Sequence, residues 1–268
     1  MYWINGVVKD TVPVSDRSFN YGDGAFTTIR TLEGKPQHWA AHLARMQACL
    51  SVLQITQPDW SLVLQWVEQA AVKAGVAGIK LHVSRGSGGR GYSPVGVQDT
   101  QVTISDFAYP THYRNWQSHG VELGIAKPKL GINPLLAGHK HNNRLEQILV
   151  KADIEQQGYV DGIVLDLNDH VIETTMANVF WVTKGQLYTP SITSSGVAGV
   201  ARRWILEDAA QRGISVLSKN FNIEHLLDAD EVFMCNSILG VAPIIKITQK
   251  CFAIGIMTRD FQERINSA

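Results

Sequence analysis

The chain carries no surplus of either charge: 24 Lys and Arg balance 24 Asp and Glu, for a formal net charge of zero. A neutral protein has no global field to draw it to nucleic acid or an anionic membrane, and no stretch concentrates Lys and Arg with aromatics. Neither nucleic acid nor membrane is expected as a partner. Cysteine is also scarce. Cys49, Cys235 and Cys251 are odd in number and form no CxxC, so neither a disulfide framework nor a zinc site is indicated, and reduced packing residues are expected. No segment approaches the roughly 20 apolar residues of a membrane span, and Met1-Tyr2-Trp3-Ile4-Asn5-Gly6 has no basic region followed by an apolar run. The expected location is cytoplasmic. Fixed-period repeats and low-complexity tracts are absent as well.

What is present suits two domains of α+β class: 268 residues, 45% of them hydrophobic, are enough for two buried cores. Asn5-Gly6 between short apolar runs is a type I′ hairpin signal, and Phe26 to Leu32 followed by Glu33-Gly34 predicts a second strand and turn. Helices are predicted from Trp39 to Leu53 and from Trp60 to Lys73, then strands from Ile79 to Ser84 and Gln101 to Phe107. The pattern lapses over 109–119, read as a linker between an N-terminal domain, 1–108, and a C-terminal domain, 120–268. In the latter, Gly162 to Leu167, Val171 to Thr174, Asn178 to Thr183 and Gln186 to Tyr188 predict a meander, followed by a helix from Val200 to about Gln211.

Four features carry possible chemistry. Lys140 precedes a helix marked by the stripe Leu145, Ile148, Leu149 and Ala152 and stopped by Gly158. A helix N-terminus, Arg144 and flanking imidazoles would disfavour an ammonium there, as a nucleophilic amine requires, although the same residue also reads as a solvated surface lysine. The glycine loop Arg85 to Gly91 lacks the GK[ST] ending of a phosphate loop, and its arginines suit a carboxylate; a plain hairpin tip is the alternative. Ser194 to Gly199 runs into the helix at Val200, where free N–H groups would meet a phosphate, as in any loop before a helix. Glu173 alternates onto the face of Val171. It needs a partner if that face is buried, which a pyridinium nitrogen could supply, or it is simply an exposed strand end.

Taken in order, Asp16-Arg17, Tyr21 to Arg30, His42 to Met46, Ser84 to Tyr92, the Lys140 segment, Glu173 with Asn178-Val179-Phe180, Gly199 to Arg202 and Ala229 to Ser237 resemble the fold-type IV pyridoxal-phosphate enzymes. The glycine loop and the Lys140 segment are similar to the aminodeoxychorismate lyases of that family. The remainder is shared with D-amino-acid and branched-chain aminotransferases.

The resemblance implies a two-domain fold, an N-terminal α/β sandwich and a strand-rich pseudobarrel, with pyridoxal 5'-phosphate as cofactor. It implies that Lys140 attaches the cofactor and moves protons, that Arg45, the Val200 and Ala201 amides and Ser237 hold its phosphate, and that Glu173 faces the pyridine nitrogen. Arg90 and Tyr92 would meet a small anionic substrate from the neighbouring subunit of a homodimer. The implied reaction converts 4-amino-4-deoxychorismate to 4-aminobenzoate and pyruvate in folate synthesis. A transaminase or a non-catalytic carboxylate or phosphate binder are the rivals. His139 and Asn142 stand where apolar residues are expected beside the lysine.

Overall fold

The computed structural model describes every residue except Gln98 and Ala268, and only the backbone of Ser267. It divides into two compact units, one formed by Met1–Tyr109 with His139–Asn143, the other by Pro110–Gly138 with Arg144–Ala268.

The first unit contains β1 (Tyr2–Ile4), β2 (Val7–Val8), α1 (Arg17–Tyr21), β3 (Gly24–Leu32), β4 (Lys35–Pro36), α2 (Trp39–Val52), α3 (Trp60–Ala70), β5 (Val76–Ser84) and β6 (Gln101–Ala108). Its sheet runs β2-β1-β6-β5-β3-β4, every pair antiparallel. Asn5 and Gly6 both have positive φ, as the hairpin signal requires, and so do Glu33 and Gly34. Along β3, Ala25, Thr27, Ile29 and Thr31 are buried while Phe26, Thr28 and Arg30 are half-buried. That alternation puts Ala25 and Ile29 into one core with Met46 and Leu50 of α2 and Val63 and Val67 of α3. α1, which periodicity does not reveal, is held by end chemistry: the Asp16 carboxylate accepts the N–H groups of Ser18 and Phe19, and Gly22 closes the helix in the left-handed region.

The second unit contains α4 (His112–His119), β7 (Val121–Ile125), α5 (Leu145–Gln156), β8 (Gly162–Leu165), β9 (Val171–Thr174), β10 (Asn178–Thr183), β11 (Gln186–Pro190), α6 (Val200–Gln211), β12 (Val216–Lys219), α7 (Ile223–Leu227), β13 (Glu231–Asn236), β14 (Gly240–Ile247), β15 (Lys250–Cys251) and α8 (Ile256–Ser267). The segment read as a linker thus carries α4. The strand order is β12-β11-β10-β13-β14-β7-β8-β9, with β15 on β14. β9, last in that order, packs back against β10 and β11, so the sheet curls on itself. The predicted meander is therefore two separate hairpins, β8 with β9 and β10 with β11. β10 takes its second neighbour from β13, whose Phe233 stacks on Phe180 at 5.2 Å.

The stripe used to recognise α5 is not its buried face. Leu145, Ile148 and Leu149 are exposed, and Val150 and Ile154 enter the core instead. Cys49 and Cys235 are packing residues as expected, but Cys251 on β15 is exposed. Among the described residues, no helix is long and apolar enough to cross a membrane.

Candidate active site

Lys140 does not enter the helix that follows it. α5 begins at Leu145 with Arg144 as its N-cap, and a helix dipole acts within about one turn of its end. Instead the segment around Lys140 joins the edge of β3. The Phe26 N–H donates to the Lys140 carbonyl at 3.0 Å, the Asn142 N–H donates to the Gly24 carbonyl at 3.0 Å, and Ala25 pairs with His141. Lys140 is half-buried, with its Nζ 4.6 Å from the centroid of the Phe26 ring. The Lys80 ammonium lies 4.9 Å from the same ring.

Arg45 reaches the next residue of β3. Its Nη2 donates to the Thr27 hydroxyl, which also meets His42 Nδ1 at 2.6 Å. Burial, then the neighbouring Arg45 and His38 charges, hold His42 well below the ordinary imidazole range, so it stays neutral beside the guanidinium. Arg45 itself is half-buried and charged, a donor suited to a phosphate.

In the glycine loop the two arginines have different fates. Arg85 is committed internally: Nε and Nη2 grip the Asp23 carboxylate at 2.7 and 3.1 Å, and Nη1 and Nη2 also reach the Gln54 and Leu53 carbonyls. Arg90 is exposed, as is Tyr92, whose ring meets Tyr21 edge-on at 5.7 Å. The loop bearing them is held from below by Arg17. This buried guanidinium donates to Asp23 at 2.8 Å, to the Gly91 carbonyl at 3.0 Å and to the Tyr92 carbonyl at 3.2 Å. Burial of Asp23 is outweighed by the hydrogen bonds and charges of Arg85 and Arg17, which leave its carboxyl below the usual range. Close backbone approach explains the glycine at 86, where a Cβ would stand 2.1 Å from the Asp99 carbonyl.

In the second unit, Glu173 and the start of α6 adjoin the loop 194–199. Glu173 is 7% exposed, and its Oε2 accepts the Val197 N–H at 3.0 Å. A bulge at Ile172 sets this direction, since Val164 pairs with Glu173 while Leu165 pairs with Val171. Gly138, two residues before Lys140, brackets the same loop. Its N–H donates to the Gly196 carbonyl at 3.0 Å, and its carbonyl accepts the Ala198 N–H at 2.9 Å. The loop then enters α6, where Gly199 offers no capping side chain to the first-turn amides of Val200 and Ala201, both buried. Ser237 follows β13, in a turn that Asn236 closes by accepting the Ile238 and Leu239 N–H groups at 2.9 and 2.8 Å.

Two positioning residues escape sequence reasoning as roles. Arg17 reads as one member of an Asp-Arg pair, and Asn178 as a strand residue. Asn178 Nδ2 donates to the Val197 carbonyl at 2.9 Å, and its Oδ1 lies where a Cβ on Gly199 would approach to 2.0 Å. The detectable signal for Arg17 is the Asp16 cap and the Gly22 stop around it; nothing local marks Asn178.

Residues 24–247 match the family described as Amino-transferase class IV. The chain belongs to the class IV aminotransferase family. Within it, an aminodeoxychorismate lyase of Vibrio harveyi is 53% identical over 271 residues, covering 100% of both chains. An aminodeoxychorismate lyase of Bacillus subtilis is 30% identical over 93% of this chain and 87% of its own length. The crystal structure of 4-amino-4-deoxychorismate lyase from Pseudomonas aeruginosa superposes with a TM-score of 0.91 at 33% identity, covering 100% of this chain and 98% of that one. This member of the class IV family therefore has the two-domain α+β architecture of its solved relatives, and Arg45, Arg90, Tyr92 and Lys140 lie in its first unit.

Proposed function

We propose that this chain is a pyridoxal-phosphate-dependent lyase that converts 4-amino-4-deoxychorismate to 4-aminobenzoate and pyruvate. The observation that carries the reading is the 53% identity, end to end, with the Vibrio harveyi aminodeoxychorismate lyase. The side chains fit the cofactor. A guanidinium at Arg45, the uncapped amides of Val200 and Ala201 and the Ser237 hydroxyl are donors for a phosphate. The carboxylate of Glu173, fixed through one oxygen by Val197, suits a protonated ring nitrogen.

The cofactor, when bound, supplies the electron sink for the pair released at the amine-bearing carbon of the substrate. The protein does the rest. Lys140 would hold the cofactor through its Nζ and, once its amine is free, would take the proton from that carbon and return one at the end of the cycle. Glu173 would keep the ring nitrogen of the bound cofactor protonated. Arg90 pairs with a substrate carboxylate and Tyr92 lines its approach. No second substrate enters, because the atoms of aminodeoxychorismate are conserved in 4-aminobenzoate plus pyruvate. The enzyme serves folate synthesis in the cytoplasm as a homodimer in which each glycine loop completes the neighbouring site.

Incubation with aminodeoxychorismate and no keto acid tests this. Pyruvate and 4-aminobenzoate should appear in equal amounts, and borohydride should fix the cofactor on Lys140. Turnover that requires a keto acid acceptor would establish the aminotransferase alternative, and label on another lysine would remove Lys140 from its role.

A further inference from the structure

Two residues beyond Lys140, the Asn142 side chain enters a polar cluster that the proposed chemistry does not use. Its Nδ2 donates to the Ser18 hydroxyl at 2.7 Å and lies 2.7 Å from His82 Nε2, while Ser18 Oγ and His82 Nε2 are 3.1 Å apart. An amide nitrogen has two hydrogens, so both contacts are made at once. The imidazole nitrogen must then accept, which requires a neutral ring. Burial, assisted by the Lys80 charge and opposed by Asp16, pulls His82 down to about 4 and keeps it so. The space for the amide is provided by Gly24, where a Cβ would come within 2.4 Å of Asn142 Nδ2.

The backbone alone specifies this segment weakly. It meets β3 through a single bridged pair, Ala25 with His141, and the two flanking hydrogen bonds. A one-residue slip in such a pairing turns every side chain to the other face. Lys140 and Asn142, two apart, share a face, so the register that seats Asn142 on Ser18 and His82 is also the one that sets Lys140 over Phe26. Phe26 and His82 are themselves directly paired between β3 and β5.

We propose that Asn142, gripped by Ser18 and His82, is a positioning residue that fixes the register of the Lys140 segment on β3. The proposal rests on the reading of Lys140 as the cofactor lysine. Its test has one arm independent of that reading. Hydrogen exchange of the full-length protein should show the amides of Phe26 and Asn142 exchanging about tenfold faster in Asn142→Leu and His82→Leu, the expected effect of losing one or two half-buried hydrogen bonds. His82→Gln, which restores an acceptor, should return exchange toward the parent. In the holoenzyme without substrate, the pH midpoint of the cofactor absorbance change should move in the two Leu variants, and kcat should fall more than KM rises. Ser18→Ala, at a half-buried helical position, keeps the test alive if His82→Leu does not fold. Unchanged exchange in Asn142→Leu overturns the proposal. Faster exchange with an unmoved absorbance midpoint also overturns it, because Asn142 would then stabilise the edge without positioning the lysine. If borohydride instead labels a different lysine, the cofactor reading fails while the exchange arm still reports on the anchor.

Discussion

Val197, itself buried, gives its backbone N–H to Glu173 Oε2 across 3.0 Å, so the carboxylate has a structural duty as well as the chemical one proposed for it. The two duties are separable. Glu173→Ala should cost about 1–3 kcal/mol of stability by leaving a buried donor unmet, and should also slow turnover at saturating cofactor. Glu173→Gln can still accept the N–H but carries no charge. It should recover most of the stability, measured by urea unfolding, and little of the rate. A Gln variant with full rate would refute the pyridine role.

Arg45 is tied to β3 through Thr27, and its removal should be felt at the cofactor rather than at the substrate. Arg45→Ala should weaken cofactor binding by about 1.5–3 kcal/mol, the scale of one charge-assisted hydrogen bond. Titration of the apoenzyme by absorbance measures this. Unchanged affinity with a raised substrate KM would move Arg45 to the substrate side.

Arg90 stands exposed on a loop whose backbone Arg17 clamps, so its planar donor fork is presented on a fixed support. Arg90→Lys should raise the KM for aminodeoxychorismate and leave cofactor absorbance nearly unchanged, since lysine cannot reproduce paired hydrogen bonds. Mixing inactive Arg90→Ala and Lys140→Ala chains should restore partial activity if the loop serves a neighbouring subunit. Chain exchange seen by mass with no activity regained would refute the shared site.

His82 should leave a signature in acid. Unfolded, it takes up its proton near 6.5; folded, where burial and Lys80 outweigh Asp16, only at about 4. Between those values the unfolded chain binds more protons, so this residue makes stability fall as pH drops from 6.5 toward 4, with no further loss below. Unfolding midpoints at pH 7 and pH 4.5 should therefore differ less in His82→Gln than in the parent. Equal differences would mean that the folded imidazole is not held neutral.

Much of this architecture is legible because it depends on local chemistry. Asn5-Gly6, Glu33-Gly34 and the Gly158 stop are decided by φ values that few residues adopt, and the structure keeps all three. What escapes depends on partners far away in the chain. Leu145, Ile148 and Leu149 have helical spacing, but spacing alone cannot say which face is covered, and here Val150 and Ile154 are. The bulge at Ile172, which re-aims Glu173, exists only in relation to β8. The Arg85 guanidinium looks available for a ligand until Asp23, 62 positions away, is seen to occupy it.

The pairing of residues 140–142 with β3 also bears on how the chain folds as it is made. β4 covers the far end of the β3 edge at Thr31 and Leu32, while the near end at Ala25 is covered by His141. During synthesis, residues 1–109 emerge first and must wait for a strip encoded more than a hundred positions beyond β3. Until it arrives, half of an edge strand presents unpaired N–H and C=O groups, the usual template for wrong strand pairing. A fragment ending at Tyr109 would keep that vulnerability permanently, so the first unit is compact in space yet not self-sufficient in sequence.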